Sequence, residues 1–244
     1  MAITASDIVH LESEDAASTG GAITASSITS GVKNNVWADV SDAERVAGGT
    51  LYRKTFWKNE NATDAAAVPV LWCSDEPDNM TLRLGLGVNL AADDNYAQGN
   101  MTAWGATAKV ALVSDGADTR VATIFGMDNT GTPVPVTETV TLNGASEVLS
   151  TKTYTKVWAV FLASASASRT VLAKQGSAGT TRGTIGLNEV ACWLWVDASS
   201  KANGIALPDL AAGQNYGMWR KLSWIAGATA TRPNSLTTKF EENS

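Results

Sequence analysis

The sequence predicts an all-β protein, a β-sandwich with a second β-sandwich module inserted into it. Three observations lead there. Between Val121 and Val157, β-branched or apolar residues alternate with polar ones, the period of a strand with one buried and one wet face. Short strand-like runs recur at roughly 8–12-residue spacing, separated by clusters of Gly, Asn, Asp and Pro. Ala, Thr, Ser and Gly are abundant while Lys and Glu are scarce, which suits small-residue sheets better than long surface helices. Helix is expected in fewer than about 10% of residues.

Taken in order, residues 1–35 are polar, with Ile3, Ile8, Val9 and Leu11 as a short apolar element. They predict an extended arm with one short strand, lying on a neighbouring subunit or on the chain's own core. Ser41 and Glu44 have the spacing of a capping box, and Gly48-Gly49 follows, so one short helical turn is expected here. Strands are expected over 51–58, 67–74 and 80–88. Pro69 places the second at an edge or starts it there. Residues 89–106 read as loop. Five strands then follow, near 108–113, 120–126, 135–142, 146–150 and 154–162, and another over 170–174. A Gly/Thr turn region is expected over 176–184. Asn143-Gly144, between two alternating runs, predicts a hairpin. In the apolar run 189–197, Trp193 and Trp195 fall on one face with Ala191, and Cys192, Leu194 and Val196 on the other, so both faces should be covered. The run 235–242 alternates and could close the fold.

Composition narrows the function classes. The chain has 244 residues, 44% hydrophobic and 17% charged, with a net charge of −6. No basic run exists to track a phosphate backbone, so no nucleic-acid partner is expected. The N-terminus lacks the pattern of a secretory signal, and no apolar run approaches the ~18 residues of a membrane span, so no membrane partner is expected. Cys73 and Cys192 lie in apolar runs and read as buried free thiols, although a disulfide between them stays open.

Candidate chemistry is sparse. The single histidine, His10, has no nucleophile motif beside it. Asp75, Glu76, Asp78, Asp93 and Asp94 lie in turn-like clusters, where Asp is favoured for backbone reasons; Glu189 is the remaining candidate for a glycosidase pair. Neither Asp93-Asp94-Asn95 nor Asp128-Asn129-Thr130 follows the calcium-loop pattern. The run Leu84–Gly87 lacks the third glycine of a dinucleotide fingerprint and reads as a strand with close backbone packing. No catalytic residue, metal or cofactor is expected.

One stretch carries a resemblance. Gly126, Asp128 and Gly131, then Thr137 to Gly144, then Ser150 to Lys152 with Tyr154 and Val157, form the pattern G-x-D-x-x-G, T-E-T-V-T-L-N-G and S-T-K-x-[FY]-x-x-V. This resembles an Ig-like module of tailed-bacteriophage virion proteins. The flanking parts resemble short phage virion proteins in which residues 1–96 are joined directly to 190–242. Matching residues include Ser6-Asp7-Ile8-Val9, Tyr52-Arg53-Lys54, Leu84 to Gly87, Leu207 to Gly213 and Gly217 to Arg220. Trp57 and Trp72 depart from the smaller residues expected there. The resemblance implies a jelly-roll or Ig-like sandwich divided as an arm (1–35), a discontinuous domain (36–99 plus 189–244) and an inserted module (100–188). It implies a non-enzymatic structural part of a virion, assembled in the host bacterial cytoplasm. The place implied is the tail tip, baseplate or fibre-attachment region. A capsid decoration protein and a glycan-binding module for host adsorption are the alternatives. The partners implied are other virion proteins and copies of this chain, with a host-surface glycan as a further possibility.

Nine tryptophans remain to be placed. Most read as core, while Trp37, Trp104 and Trp224 flank Gly or polar residues and read as surface. Interface cores are enriched in aromatics and poor in Lys and Glu. The expected contact residues are therefore Ile3, Ile8 and Val9 in the arm, Trp37, Trp104, and Trp219 and Trp224 in the segment 215–226.

Overall fold

Runs that alternate in the sequence become antiparallel strands. The computed structural model describes residues 3–15, 20–32, 35–74, 79–90, 94–227 and 238–241. The protein is 51% strand and 7% helix, an all-β fold of several packed antiparallel sheets. The strands are β1 (Ile8–Asp15), β2 (Gly20–Ser27), β3 (Gly49–Asn59), β4 (Val70–Cys73), β5 (Met80–Gly87) and β6 (Val110–Ser114). They continue as β7 (Val121–Asp128), β8 (Val134–Thr141), β9 (Val148–Leu149), β10 (Tyr154–Leu162), β11 (Val171–Gln175) and β12 (Thr180–Ile185). The last are β13 (Ala191–Trp193), β14 (Val196–Asp197), β15 (Ile205–Ala206), β16 (Asn215–Trp224) and β17 (Thr238–Glu241). A single-turn helix, α1 (Asp42–Ala47), precedes β3. Its capping box forms as expected, with the Ser41 hydroxyl accepting from the Glu44 N–H and the Glu44 carboxylate accepting from the Ser41 N–H.

Four sheets result, with orders β14-β5-β16-β3-β1-β2, β13-β10-β7-β8, β12-β11-β6-β9 and β15-β4-β17. The first is built on β16, which pairs with β3 on one side and β5 on the other over nearly its whole length. Residues 8–15 and 20–27 exceed the one short strand expected of the arm and lie on the chain's own sheet, one of the two placements expected. They form two strands, and β1 pairs with β3 from Ile8↔Asn59 to Glu12↔Thr55. Leu11 and Ser13 are buried, and the Ser13 hydroxyl donates to the Lys54 carbonyl. A polar strand is tolerated here because the sheet supplies hydrogen bonds to its backbone, and few apolar anchors are needed.

Two apolar cores follow from the sheets. The second core lies between β13-β10-β7-β8 and β12-β11-β6-β9; its buried residues fall between Met101 and Cys192, among them Ile124, Val160, Val110 and Val171, and half-buried Leu194 packs against it. The opposite face of β7, β10 and β13, with Phe125, Phe161, Ala159 and Trp193, packs on the first core. There it meets β5 and β16, where Trp193 stacks on Trp219 with centroids 6.1 Å apart and planes 9° from parallel. Gly85 permits this approach, since a Cβ there would lie 2.3 Å from the Trp193 ring. The tight packing expected for the Leu84–Gly87 run is thus present.

Three expectations need correction. The turn region proposed for 176–184 contains β12, which pairs with β11 from Val171↔Ile185 to Gln175↔Thr180. Its threonines are β-branched strand formers, and Gly183 within them concealed the strand. Asn143-Gly144 does make a tight turn, with Ser146 N–H donating to the Asn143 carbonyl at 3.0 Å. The flanking strands do not pair as a hairpin, because β8 pairs with β7 and β9 with β6, so the turn carries the chain from one sheet to another. The run 189–197 divides between two sheets, β13 beside β10 and β14 beside β5. Pro69, by contrast, immediately precedes β4 as expected. Cys73 and Cys192 are buried and are not joined by a disulfide, and burial pushes the Cys192 thiol pKa up.

Candidate functional site

The contact residues expected from sequence are not gathered on one surface. Ile3, Ile8 and Val9 are half-buried, the last two at the start of β1 opposite Asn59 and Lys58. Trp224 pairs with Gly49 at the other end of the eleven-residue β3. Trp37 is half-buried on the first core, with the Arg53 guanidinium 5.6 Å from its ring centroid. Trp104 packs at the rim of the second core. Trp219 and Trp224, expected as contact residues, are 0% and 7% exposed, so their rings serve the chain's own interior. Their indole N–H groups are also used, Trp219 donating to Asp94 and Trp224 to the Glu44 carbonyl, both at 3.0 Å. The middle and far end of β16 are covered on both faces, so neither of these two rings is free for a partner.

One concave surface with convergent side chains is a cleft of ≈ 490 Å³ where the first sheet meets β7 and β10. Phe125, Phe161 and Tyr216 form its apolar part. The Phe125 ring lies 5.2 Å from Phe161 and meets Tyr216 edge-on at 6.2 Å. Asn89, Gln214, Asn215 and Asp209 supply polar groups around them. Some of these are already engaged. The Tyr216 hydroxyl donates to the Pro208 carbonyl at 2.9 Å, and burial, reinforced by Asp209, pushes its pKa up to about 12. Asp209 accepts from Val68 N–H, and Asn89 from Ile23 N–H. The carboxamides of Gln214 and Asn215 make no hydrogen bond among the described residues. Rings ringed by amides can hold a ligand with a flat apolar face and hydroxyl edges. They do not assemble paired carboxylates, since Asp209 is the one acid among the described residues lining the cleft.

Charge is buried elsewhere. Lys54 on β3 and Asp94 form an ion pair in which both side chains are 0% exposed. Lys54 Nζ also donates to the carbonyls of Gly21 and Val88. Asp94 Oδ2 accepts from Trp219 Nε1–H at 3.0 Å and from Val88 N–H at 3.1 Å. Burial lowers the Lys54 pKa and raises that of Asp94, with their mutual attraction opposing both shifts. A second buried group, Arg220, is 2% exposed. Its Nη2 donates to His10 Nε2 at 2.9 Å, while Nε and Nη1 have no hydrogen-bond partner among the described residues. Guanidinium can only donate, so His10 Nε2 must be the unprotonated nitrogen. His10 stacks flat on Trp57, centroids 4.3 Å apart. Burial, together with Arg220, holds the His10 pKa down to about 2, and burial brings Arg220 down to about 9.

Asp94, expected in a turn-like cluster, has its carboxylate fully enclosed beside Lys54 and Trp219. Asp75, Glu76, Asp78 and Asp93 lie outside the described residues. Glu189 accepts from Gly186 N–H at 2.7 Å, a turn role. Among the described residues, no group of three or more His, Cys, Asp or Glu could hold a metal ion, and no helix is long and apolar enough to cross a membrane. Phe125, Phe161 and Tyr216 had not been singled out in the sequence, and Lys54 and Arg220 figured there only among the residues of the resemblance. Comparison with protein-family models, curated proteins and solved structures finds no match to this chain.

Proposed function

We propose that the chain is a non-enzymatic structural component of a tailed-phage virion, placed in the tail tip, baseplate or fibre-attachment region. The observation that supports this reading most is what the residues of the virion-like pattern do. Gly126 leaves room for the Tyr154 ring, which a Cβ would approach to 2.6 Å. Asp128 closes the β7–β8 turn by accepting from Thr130 and pairs with Lys152 at 3.3 Å. Glu138 on β8 accepts from the backbone of Thr151 and Lys152 and from the Tyr154 hydroxyl. Asp128 and Glu138 therefore tie strands together, and neither they nor Gly126 line the cleft beside Phe161. That is how a building block spends its polar side chains. The test is to separate particles into heads and tails and find the chain by mass spectrometry. The expected result is recovery with tails. Recovery with DNA-filled, tail-less heads would favour decoration, and absence from both would overturn the reading.

The cleft favours a second reading, glycan binding during adsorption. Its three rings and unengaged amides have the composition of a sugar site. A glycan array probed with the protein and with a Phe161→Ala variant separates the two. Binding lost in the variant supports this reading, and no binding by either removes it.

A further inference from the structure

We propose that Lys54 and Asp94 join covalently, Nζ to Cγ, forming an intramolecular amide that links β3 to the loop following β5. The inference is independent of where the protein acts. It rests on the geometry around the pair. Two carbonyls, Gly21 and Val88, hold two of the Lys54 N–H groups, and the third faces Asp94 Oδ1. Once that proton passes to Oδ1, the nitrogen lone pair is directed at the carboxyl group. The other oxygen, Oδ2, already receives two N–H donors, Trp219 Nε1–H and Val88 N–H. This is the arrangement that stabilises the oxyanion of a tetrahedral intermediate. Water is kept out by close walls, since a Cβ on Gly20 or Gly87 would lie 2.6 or 2.9 Å from the Lys54 side chain. The aromatic rings of Phe56 and Trp219 complete the enclosure, 5.1 and 5.9 Å from Nζ.

The step balances without another reactant. The ammonium gives one proton to Oδ1, producing an amine and a carboxylic acid. Burial favours these neutral forms, as the directions of both pKa shifts indicate. Nζ attacks Cγ, and negative charge develops on Oδ2 between its two donors. A second proton leaves Nζ for Oδ1, the Cγ–Oδ1 bond breaks, and one water departs. The fixed juxtaposition supplies the effective concentration that an amine and a carboxylic acid lack in water.

Mass spectrometry of the denatured full-length chain tests this, alongside a Lys54→Met variant made the same way. The wild type should weigh one water less than its sequence, with the deficit on a branched peptide joining the segments that contain Lys54 and Asp94. The variant should show its full sequence mass. Denaturation before weighing makes the result independent of whether the variant folds. A wild-type chain at full mass, or a deficit located elsewhere, would overturn the proposal.

Discussion

The two cores solve the same packing problem with different chemistry. The sandwich between Met101 and Cys192 has an apolar core, and each of its ion pairs keeps at least one side chain partly exposed, at 21% each in Lys174–Glu147, 13% and 3% in Arg120–Asp118, and 38% and 4% in Lys152–Asp128. The first core encloses a lysine, an aspartate and an arginine among its leucines and tryptophans. Apolar alternation tolerates local repacking, because contacts are many and individually weak. A buried charge does not, because its desolvation is compensated only by particular partners. The first core should therefore be the more brittle of the two.

The sharpest way to break that comparison is Asp94→Ala. Whether the wild-type pair is ionic or amide-linked, the variant leaves Lys54 as an ammonium without a counter-charge in a closed site, which costs about 3–5 kcal/mol. Urea denaturation should show the loss as a lower midpoint, and a change below about 1 kcal/mol would mean that the pair is not buried as described. In the sandwich, Glu138→Ala removes the acceptor for Thr151, Lys152 and Tyr154. The expected loss is smaller, about 2 kcal/mol, because water can replace part of what is lost.

Acid should weaken the first core through His10. In the fold its pKa is held near 2, against about 6.5 in the unfolded chain. Below pH 6.5 the unfolded chain therefore binds the proton and the folded one does not. The stabilisation from this site is complete above 6.5 and falls by about 1.4 kcal/mol per pH unit as the pH drops towards 2. Comparing wild type with His10→Gln at pH 7, 6 and 5 isolates this slope. Parallel curves would show that His10 is not held neutral by its surroundings.

Much of the sandwich was legible because each strand has one face on the core. In β7, Ala122, Ile124, Gly126 and Asp128 point to the second core's side and alternate with half-buried Thr123, Phe125 and Met127. The first core was less legible because β3 is covered on both faces, so Lys54 is enclosed despite its strand-like polar position. Nothing near Lys54 in sequence marks its partner, Asp94, which lies 40 residues away. The Asp94–Trp219 and His10–Arg220 bonds span 125 and 210 residues. The cleft was hidden for the same reason: Phe125, Phe161 and Tyr216 each read as ordinary strand residues, and only the packing of separate sheets brings their rings together.

The claim that one core is fixed by the enclosed Lys54–Asp94 pair and the other by apolar alternation can be tested region by region. Native-state hydrogen exchange of the wild type and Asp94→Ala reports each strand separately. The account predicts that protection falls in β3, β5 and β16 while β6, β7, β10 and β11 keep most of theirs. Equal loss of protection in both sets of strands would contradict it.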